Sequence, residues 1–113
     1  HFHDIMPSEK LIRVATNGGA AALGIQNEIG SLEIGKKADI LILNCGEMDQ
    51  FPLYDPLFAI ATMMVGRDVK TVIIDGKVVM KDRELLTIDQ EKLKHELMSR
   101  LPKIMERFQM VPE

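Results

Sequence analysis

Two short motifs in this sequence contain residue types that could do chemistry. In the first, four residues separate Gly30 from Gly35, and Lys36 follows. A phosphate-binding loop has this spacing, but it also needs a strand before it, a helix after it, and a Ser or Thr after the lysine to bind Mg²⁺. Here Lys37 follows, and the next residues, ADILILN, are typical of a strand. We therefore interpret both glycines as turn residues and predict that Lys36 is not a phosphate ligand.

The second motif is His1-Phe2-His3-Asp4 at the start of the sequence. Imidazole and carboxylate side chains are ligands from which zinc sites are built, so the motif raises the possibility of a metal site. No apolar strand precedes His1 to position such a site.

The other candidate side chains favour structural roles. Cys45 is the only cysteine and has no catalytic histidine at a recognisable spacing, so we expect a packed or loop thiol. His95 stands among charged residues and is expected to be solvated. Asp39, Asp75 and Asp89 fit turns and helix caps better than acid–base catalysis, which needs a cleft and a partner. The sequence therefore predicts no catalytic, cofactor-binding or metal-binding residue in this chain.

Length and charge exclude several classes of partner. The 113 residues suffice for one modest domain. With 14 Lys and Arg against 17 Asp and Glu, the chain lacks the basic excess of a nucleic-acid binder. No apolar run approaches the ~20 residues of a membrane helix, and the single cysteine favours a reducing, cytoplasmic setting. The sequence opens without Met or a secretion signal, and we expect it to belong to a longer polypeptide.

The apolar spacing near the start predicts a helix that begins at Pro7 or Ser8 and is closed by Gly24 in left-handed geometry. Gly18-Gly19 lies inside this helix, where each glycine costs up to about 1 kcal/mol relative to alanine. With Ala20, Ala21 and Ala22 the two glycines form a stretch of small side chains, which we expect to pack closely against another element.

Two strand regions follow. Residues 38–43 contain an uninterrupted ILIL, which favours a strand covered on both faces. Residues 69–74 are rich in β-branched side chains, and the turn Asp75-Gly76 with residues 77–80 predicts a hairpin. Residues 57–65 fit either a short helix or a strand, because their periodicity does not distinguish the two.

The last segment, from residue 89 to about 110, predicts an amphipathic helix capped by Asp89 or Thr87. Its apolar side chains recur every three or four residues, and this apolar stripe consists of Leu93, Leu97, Leu101, Ile104 and Phe108. Pro102 removes one backbone donor, so we expect a kink.

Residues 15–44, ATNGGAAALGIQNEIGSLEIGKKADILILN, resemble the C-terminal signature of the amidohydrolase superfamily, in its chlorohydrolase and cytosine-deaminase-like branch. The resemblance continues through Asp55-Pro56-Leu57, residues 69–74 and the hairpin 75–79, and it covers roughly residues 6 to 89. The matching pieces stand in the family's order: Ala15-Thr16, Gly19-Ala20, Leu23-Gly24, Ile29-Gly30-Ser31-Leu32, Gly35-Lys36 and Ala38-Asp39.

The resemblance implies a metal-bearing (β/α)8 barrel with an added β-sandwich, and an enzyme that hydrolyses C–N or C–Cl bonds of small heterocycles. One divalent metal, zinc or iron, is expected in the full-length enzyme and none in this chain, because the family's ligands precede this signature. A barrel needs ~250 residues, more than are present. In the family the His-x-His pair precedes the C-terminal signature by most of the length of a barrel. We therefore expect His1 and His3 to belong to a linker after the last barrel strand.

The predicted fold class is α+β. Residues 1–24 are expected to form the last barrel segment and its helix, residues 25–88 the C-terminal β-domain, and residues 89–113 the amphipathic helix. The resemblance predicts a C-terminal fragment of a metal-dependent deaminase or chlorohydrolase that is inactive alone and binds the rest of its own polypeptide. A stand-alone, non-catalytic interaction or dimerisation module is the alternative, and homo-oligomerisation is a further expectation.

Overall fold

The first helical region follows Pro7, which is its N-cap residue. Pro7 has an extended backbone, and no side chain makes a capping hydrogen bond there. The computed structural model of the protein describes residues 6–45 and 54–108. Helix α1 spans Ser8–Arg13, a π-helical turn spans Val14–Gly18, and α2 spans Gly19–Ala22. Gly24 follows with φ of 74°, which confirms the predicted left-handed end.

The π-helical turn was not predicted from the sequence. Within it, the Thr16 hydroxyl donates to the carbonyl oxygen of Ile12 at 2.8 Å. Such side-chain bonds to the preceding turn compete with the regular helical ladder, and Gly18 has low helical propensity. A local widening of the helix follows from this composition.

The close packing expected of the stretch from Gly18 to Ala22 occurs at Ala20 and not at the two glycines, within the part of the chain that the structure describes. A Cβ atom added to Gly19 would meet nothing within 4 Å, and one on Gly18 would meet only its own helix, at 3.6 Å from the Arg13 carbonyl oxygen. The close approach lies one residue further on, at Ala20, which is buried.

The sheet has four strands in the order β1-β2-β3-β4, each antiparallel to its neighbour. The strands are β1 Ile40–Leu43, β2 Val69–Ile74, β3 Lys77–Lys81 and β4 Glu84–Leu85. Asp75 and Gly76 have φ of 50° and 76°, as a two-residue turn of the primed type requires, so the hairpin prediction is confirmed. Strand β4 was not predicted, because its turn at Asp82 and Arg83 adopts positive φ without a glycine.

Strand β1 is not covered on both faces by the described residues. Leu41 is 60% exposed and Ile42 is 47% exposed. Adjacent residues of a strand point to opposite faces, so both faces of β1 remain open here. The apolar run correctly predicted the strand, whereas its expected cover is missing from the described residues.

Helix α3, Pro56–Thr62, answers the question that periodicity left open. The Asp55 side chain caps this helix by accepting hydrogen bonds from the amides of Leu57 and Phe58. Pro56 occupies the first turn, where a backbone amide has no partner within the helix, so the missing N–H of proline costs nothing. Helix α3 contacts α1, and its Ala59 is buried. A short 3-10 helix, Gly66–Asp68, then leads into β2.

Helix α4 spans Gln90–Arg107 and is capped by Asp89, whose side chain accepts from the amide of Lys92 at 2.9 Å. The helix continues through Pro102, and the kink expected there stays a prediction. No residue of α4 is buried, and its apolar stripe is between 37% and 68% exposed.

The architecture confirms the α+β class, but the described residues do not gather around one core. Their buried apolar residues are only Ala20, Ala59 and Met80. The radius of gyration is 19.2 Å, whereas a compact domain of this length has about 13 Å. The chain thus spreads its elements apart, and the three-part division made from the sequence stays a prediction.

Candidate functional site

The metal implied by the family resemblance has no fitting ligand set in the described residues. Within residues 6–45 and 54–108, no three His, Cys, Asp or Glu side chains come together in a way that could hold an ion. The sequence motif His1-Phe2-His3-Asp4 lies outside the described residues. We therefore derive no chemical step through a metal held by this chain.

The other candidate chemical groups stand apart from one another. Cys45 is an exposed thiol just after β1. His95 is an exposed residue of α4. The structure brings neither of them into a cluster with acidic residues in the part that it describes.

Lys36 is bound within its own loop. Its ammonium group donates to the carbonyl oxygen of Gln26 at 2.8 Å and to the Ser31 hydroxyl at 2.7 Å, and it lies 2.9 Å from the Glu33 carboxylate. The side chain is only 17% exposed. An ammonium has three donors, so these three acceptors use all of them and leave none for a phosphate.

Gly30 brings the loop against the helix. Its φ is 94°, and an added Cβ would lie 2.8 Å from the Ala20 Cβ and 3.3 Å from the Thr16 carbonyl oxygen. No side chain fits in that space. Gly35 also has positive φ, 93°, but an added Cβ there would meet nothing within 4 Å. The two glycines of the opening motif therefore serve different purposes, one a close contact and the other a turn.

The same loop is bonded to the hairpin at its other end. The Asp39 carboxylate accepts from the amide of Asp75 at 2.8 Å, and the Ala38 carbonyl oxygen accepts from the amide of Gly76 at 3.0 Å. Asp75 lies in the hairpin turn as predicted, whereas the bond of Asp39 reaches that turn from 36 residues away, so the turn or cap role expected of Asp39 stays a prediction. We call residues 25–39, with their contacts to α2 and to the hairpin turn, the joint.

Charge pairs support the middle of the joint. Lys37 donates to Glu28 through both its side chain, at 2.7 Å, and its backbone amide, at 2.8 Å. The hydrogen bond and charge of Glu28 raise the pKa of Lys37 above its ordinary value. Hydrogen bonds from Ser31 and Lys36, with the charge of Lys36, lower the pKa of Glu33. The arrangement holds a loop in place and offers no general acid or base.

A second polar cluster was missed in the sequence. It surrounds an open depression of about 320 Å³, lined by Asn44, Arg67, Asp68, Lys70, Asp82 and Arg83. Asp68 is buried and accepts from the amide of Val65, and Arg83 donates to the carbonyl oxygens of Gly66 and Val69. These bonds connect the 3-10 helix to the β3–β4 turn. No sequence spacing indicated them, because the partners come from separate turns.

The comparison with protein families decides the identity of this fold. The profile described as "Amidohydrolase family" matches residues 1–79, well over half of the chain. This chain belongs to the amidohydrolase family. The predicted resemblance is thereby confirmed.

Curated relatives of this amidohydrolase chain share its sequence over most of its length. A 5-methylthioadenosine/S-adenosylhomocysteine deaminase 1 of Syntrophus aciditrophicus is 41% identical over 91% of this chain and 22% of its own length. A 5-methylthioadenosine/S-adenosylhomocysteine deaminase of Acetivibrio thermocellus is 45% identical over 74% of this chain and 19% of its own. The chain thus spans about a fifth of the length of such relatives.

Solved structures agree with the family. A zinc-bound adenosine deaminase from Xanthomonas campestris superposes with a TM-score of 0.81 and 31% identity, over 88% of this chain and 23% of that one. An atrazine chlorohydrolase from Arthrobacter aurescens, complexed with zinc, gives a TM-score of 0.72 and 25% identity, over 81% of this chain and 20% of that one. Among the described residues, no helix is long and apolar enough to cross a membrane.

Proposed function

We propose that this amidohydrolase chain is the C-terminal part of a longer metal-dependent enzyme that hydrolyses a non-peptide C–N bond of a small heterocycle. Deamination is favoured over dechlorination, since relatives up to 45% identical are named deaminases, whereas the chlorohydrolase is 25% identical. In such a deamination, water supplies the oxygen that bonds to the ring carbon, the C–N bond breaks, and ammonia leaves.

The observation that carries the proposal is strand β1. A four-residue apolar strand with Leu41 and Ile42 exposed on opposite faces needs cover from both sides to be stable in water. The described residues do not supply it. A polypeptide of the relatives' length would contain the further elements to cover both faces, and a barrel of ~250 residues fits within that length.

In this proposal the active site lies in the rest of the polypeptide, which holds one divalent metal, zinc or iron. The zinc-bound structural neighbours support the choice of metal. The present chain contributes the joint and the sheet, and by itself it is inactive. The substrate class is an amino-substituted heterocycle, for which the names of the relatives favour an adenosine derivative. A cytoplasmic location accords with the single cysteine.

One observation favours a second candidate, an interaction or dimerisation module. The apolar stripe of α4 stays between 37% and 68% exposed along the whole helix. A helix with such a stripe is stabilised chiefly by burying it against another surface. In the first proposal that surface belongs to the same polypeptide, and in the second it belongs to another protein or a second copy.

Intact mass and metal analysis of the protein from its native source separates the two candidates. The enzyme proposal predicts a chain about four times as long as this one, since 103 matched residues make up 22% of the relative, with about one zinc or iron per chain. Ammonia release from 5-methylthioadenosine or adenosine should follow. A native chain of 113 residues without metal would support the module instead.

A further inference from the structure

Lys36 occupies an unusual position for a lysine. Its charge lies in the middle of a loop without regular secondary structure, yet the side chain is 17% exposed and has three acceptors within 2.9 Å. The neighbouring Lys37 has one carboxylate partner and is 48% exposed. A charge largely removed from water is costly unless it is paired, so the three acceptors stabilise the Lys36 ammonium group in the folded loop.

The acceptors of Lys36 come from three separate points of the loop. Gln26 lies just after the end of α2, Ser31 follows the glycine that contacts Ala20, and Glu33 lies in the next turn. One ammonium group therefore fixes the loop close to the place where it touches the helix.

Both ends of the joint are bonded to regular elements. The amide of Ile25 donates to the Ala20 carbonyl oxygen at 3.0 Å, on the helix side. The amide of Gly76 donates to the Ala38 carbonyl oxygen at 3.0 Å, on the hairpin side. The helix and the sheet are thus connected by a loop in which Lys36 restrains the middle.

We propose that the joint is a rigid connection that sets the position of helices α1 and α2 relative to the sheet, and that Lys36 is its positioning residue. Only the expected effect of the joint on enzyme activity rests on the proposed function, in which α1 and α2 belong to the barrel that carries the active site. The coupling between helix and sheet stands on the contacts alone.

The test is amide hydrogen exchange on the native polypeptide that contains this chain, comparing Lys36→Met with Lys70→Met. Lys36→Met is expected to accelerate exchange about tenfold at Ile25 and at Gly76 together, since each lost bond to a charged group weakens the joint. Lys70→Met, which removes an exposed ion pair with Asp82 outside the joint, should change exchange at both amides by less than about threefold. Lys36→Arg keeps the charge and should recover part of the protection.

Unchanged exchange at both amides in Lys36→Met would overturn the proposal, as would acceleration at only one end, because a rigid connection must loosen at both. Ammonia release from 5-methylthioadenosine is measured on the same samples. If the unsubstituted polypeptide releases none, the deaminase proposal fails while the exchange result still decides the role of Lys36. If it is active, Lys36→Met should lower kcat and Lys36→Arg should restore part of it, whereas Lys70→Met should leave kcat unchanged.

Discussion

The joint and helix α4 differ in whether their side chains find partners among the described residues. In the joint, one lysine, one glycine and one aspartate meet their partners within the described residues, at distances down to 2.7 Å. Helix α4 has a cap and the surface ion pair Glu96–Arg100, but no buried residue. The joint is therefore held by hydrogen bonds and close contacts among its own residues. Helix α4 has a clear apolar pattern, but the described residues do not provide the surface that would cover it.

This difference indicates where the chain is self-sufficient. The joint brings its own partners, so its geometry follows from this sequence. Helix α4 has an apolar stripe whose partner is not among the described residues, so its stability depends on something else. In the enzyme proposal that partner is the rest of the polypeptide.

The largest expected effect comes from Gly30→Ala, measured as the free energy of opening of the joint by native-state hydrogen exchange. Positive φ costs a non-glycine residue about 1–2 kcal/mol, and forcing a methyl group against Ala20 adds about 1–3 kcal/mol. Gly35→Ala is the matched control, since it has the same positive φ but free space, and it should cost only the first amount. Equal losses for the two variants would show that the contact with Ala20 contributes nothing.

A smaller effect is expected where the joint meets the hairpin. Asp39→Ala removes the acceptor of the Asp75 amide and should lower the opening free energy at that amide by about 1 kcal/mol. Asp75→Asn keeps a residue that tolerates the turn and should change this opening free energy by less than about 0.5 kcal/mol. If Asp39→Ala leaves exchange at Asp75 unaltered, the sheet side of the joint is held by other contacts.

For helix α4 the sharpest local change is at its cap. Asp89→Ala should cost about 1 kcal/mol, read from exchange of the first-turn amides, because the Lys92 amide loses its acceptor. Thr87→Ala tests the alternative cap and should have no such effect. Loss of protection along the whole helix would instead mean that α4 is held by its cap rather than by a covering surface.

The joint should also have a pH dependence. The pKa of Glu33 lies below its ordinary value of 4.5, owing to hydrogen bonds from Ser31 and Lys36 and to the charge of Lys36. A carboxylate with a lowered pKa contributes stability above its ordinary value, and this is lost as the pH falls through the folded-state pKa. An NMR titration should show the Glu33 midpoint below 4.5, moving upward in Lys36→Met. A midpoint that does not move would remove Lys36 from the account.

The parts of the fold that follow local rules could be predicted from the sequence. The Asp75-Gly76 turn, the left-handed Gly24, the Asp89 cap and the apolar period of α4 each depend on neighbouring residues. The resemblance supplied the family, and the turn role of Asp75 followed from residue type.

What could not be predicted depends on distant partners. The contact of Gly30 with Ala20 joins a loop to a helix, and the bonds of Arg83 join two turns. Strand β4 was missed because Asp82 and Arg83 adopt a conformation that usually indicates glycine. The expectation that both faces of β1 are packed against other elements came from its apolar composition. Composition does not say which segment of a polypeptide packs there.

The most direct test of the account is metal-dependent ammonia release, measured in parallel for the isolated 113-residue chain and for the native polypeptide that contains it, with zinc and 5-methylthioadenosine or adenosine. The account predicts release by the native polypeptide that is lost on chelation, and none by the isolated chain. Zinc-dependent release by the isolated chain would contradict it, because the active site would then lie within these 113 residues.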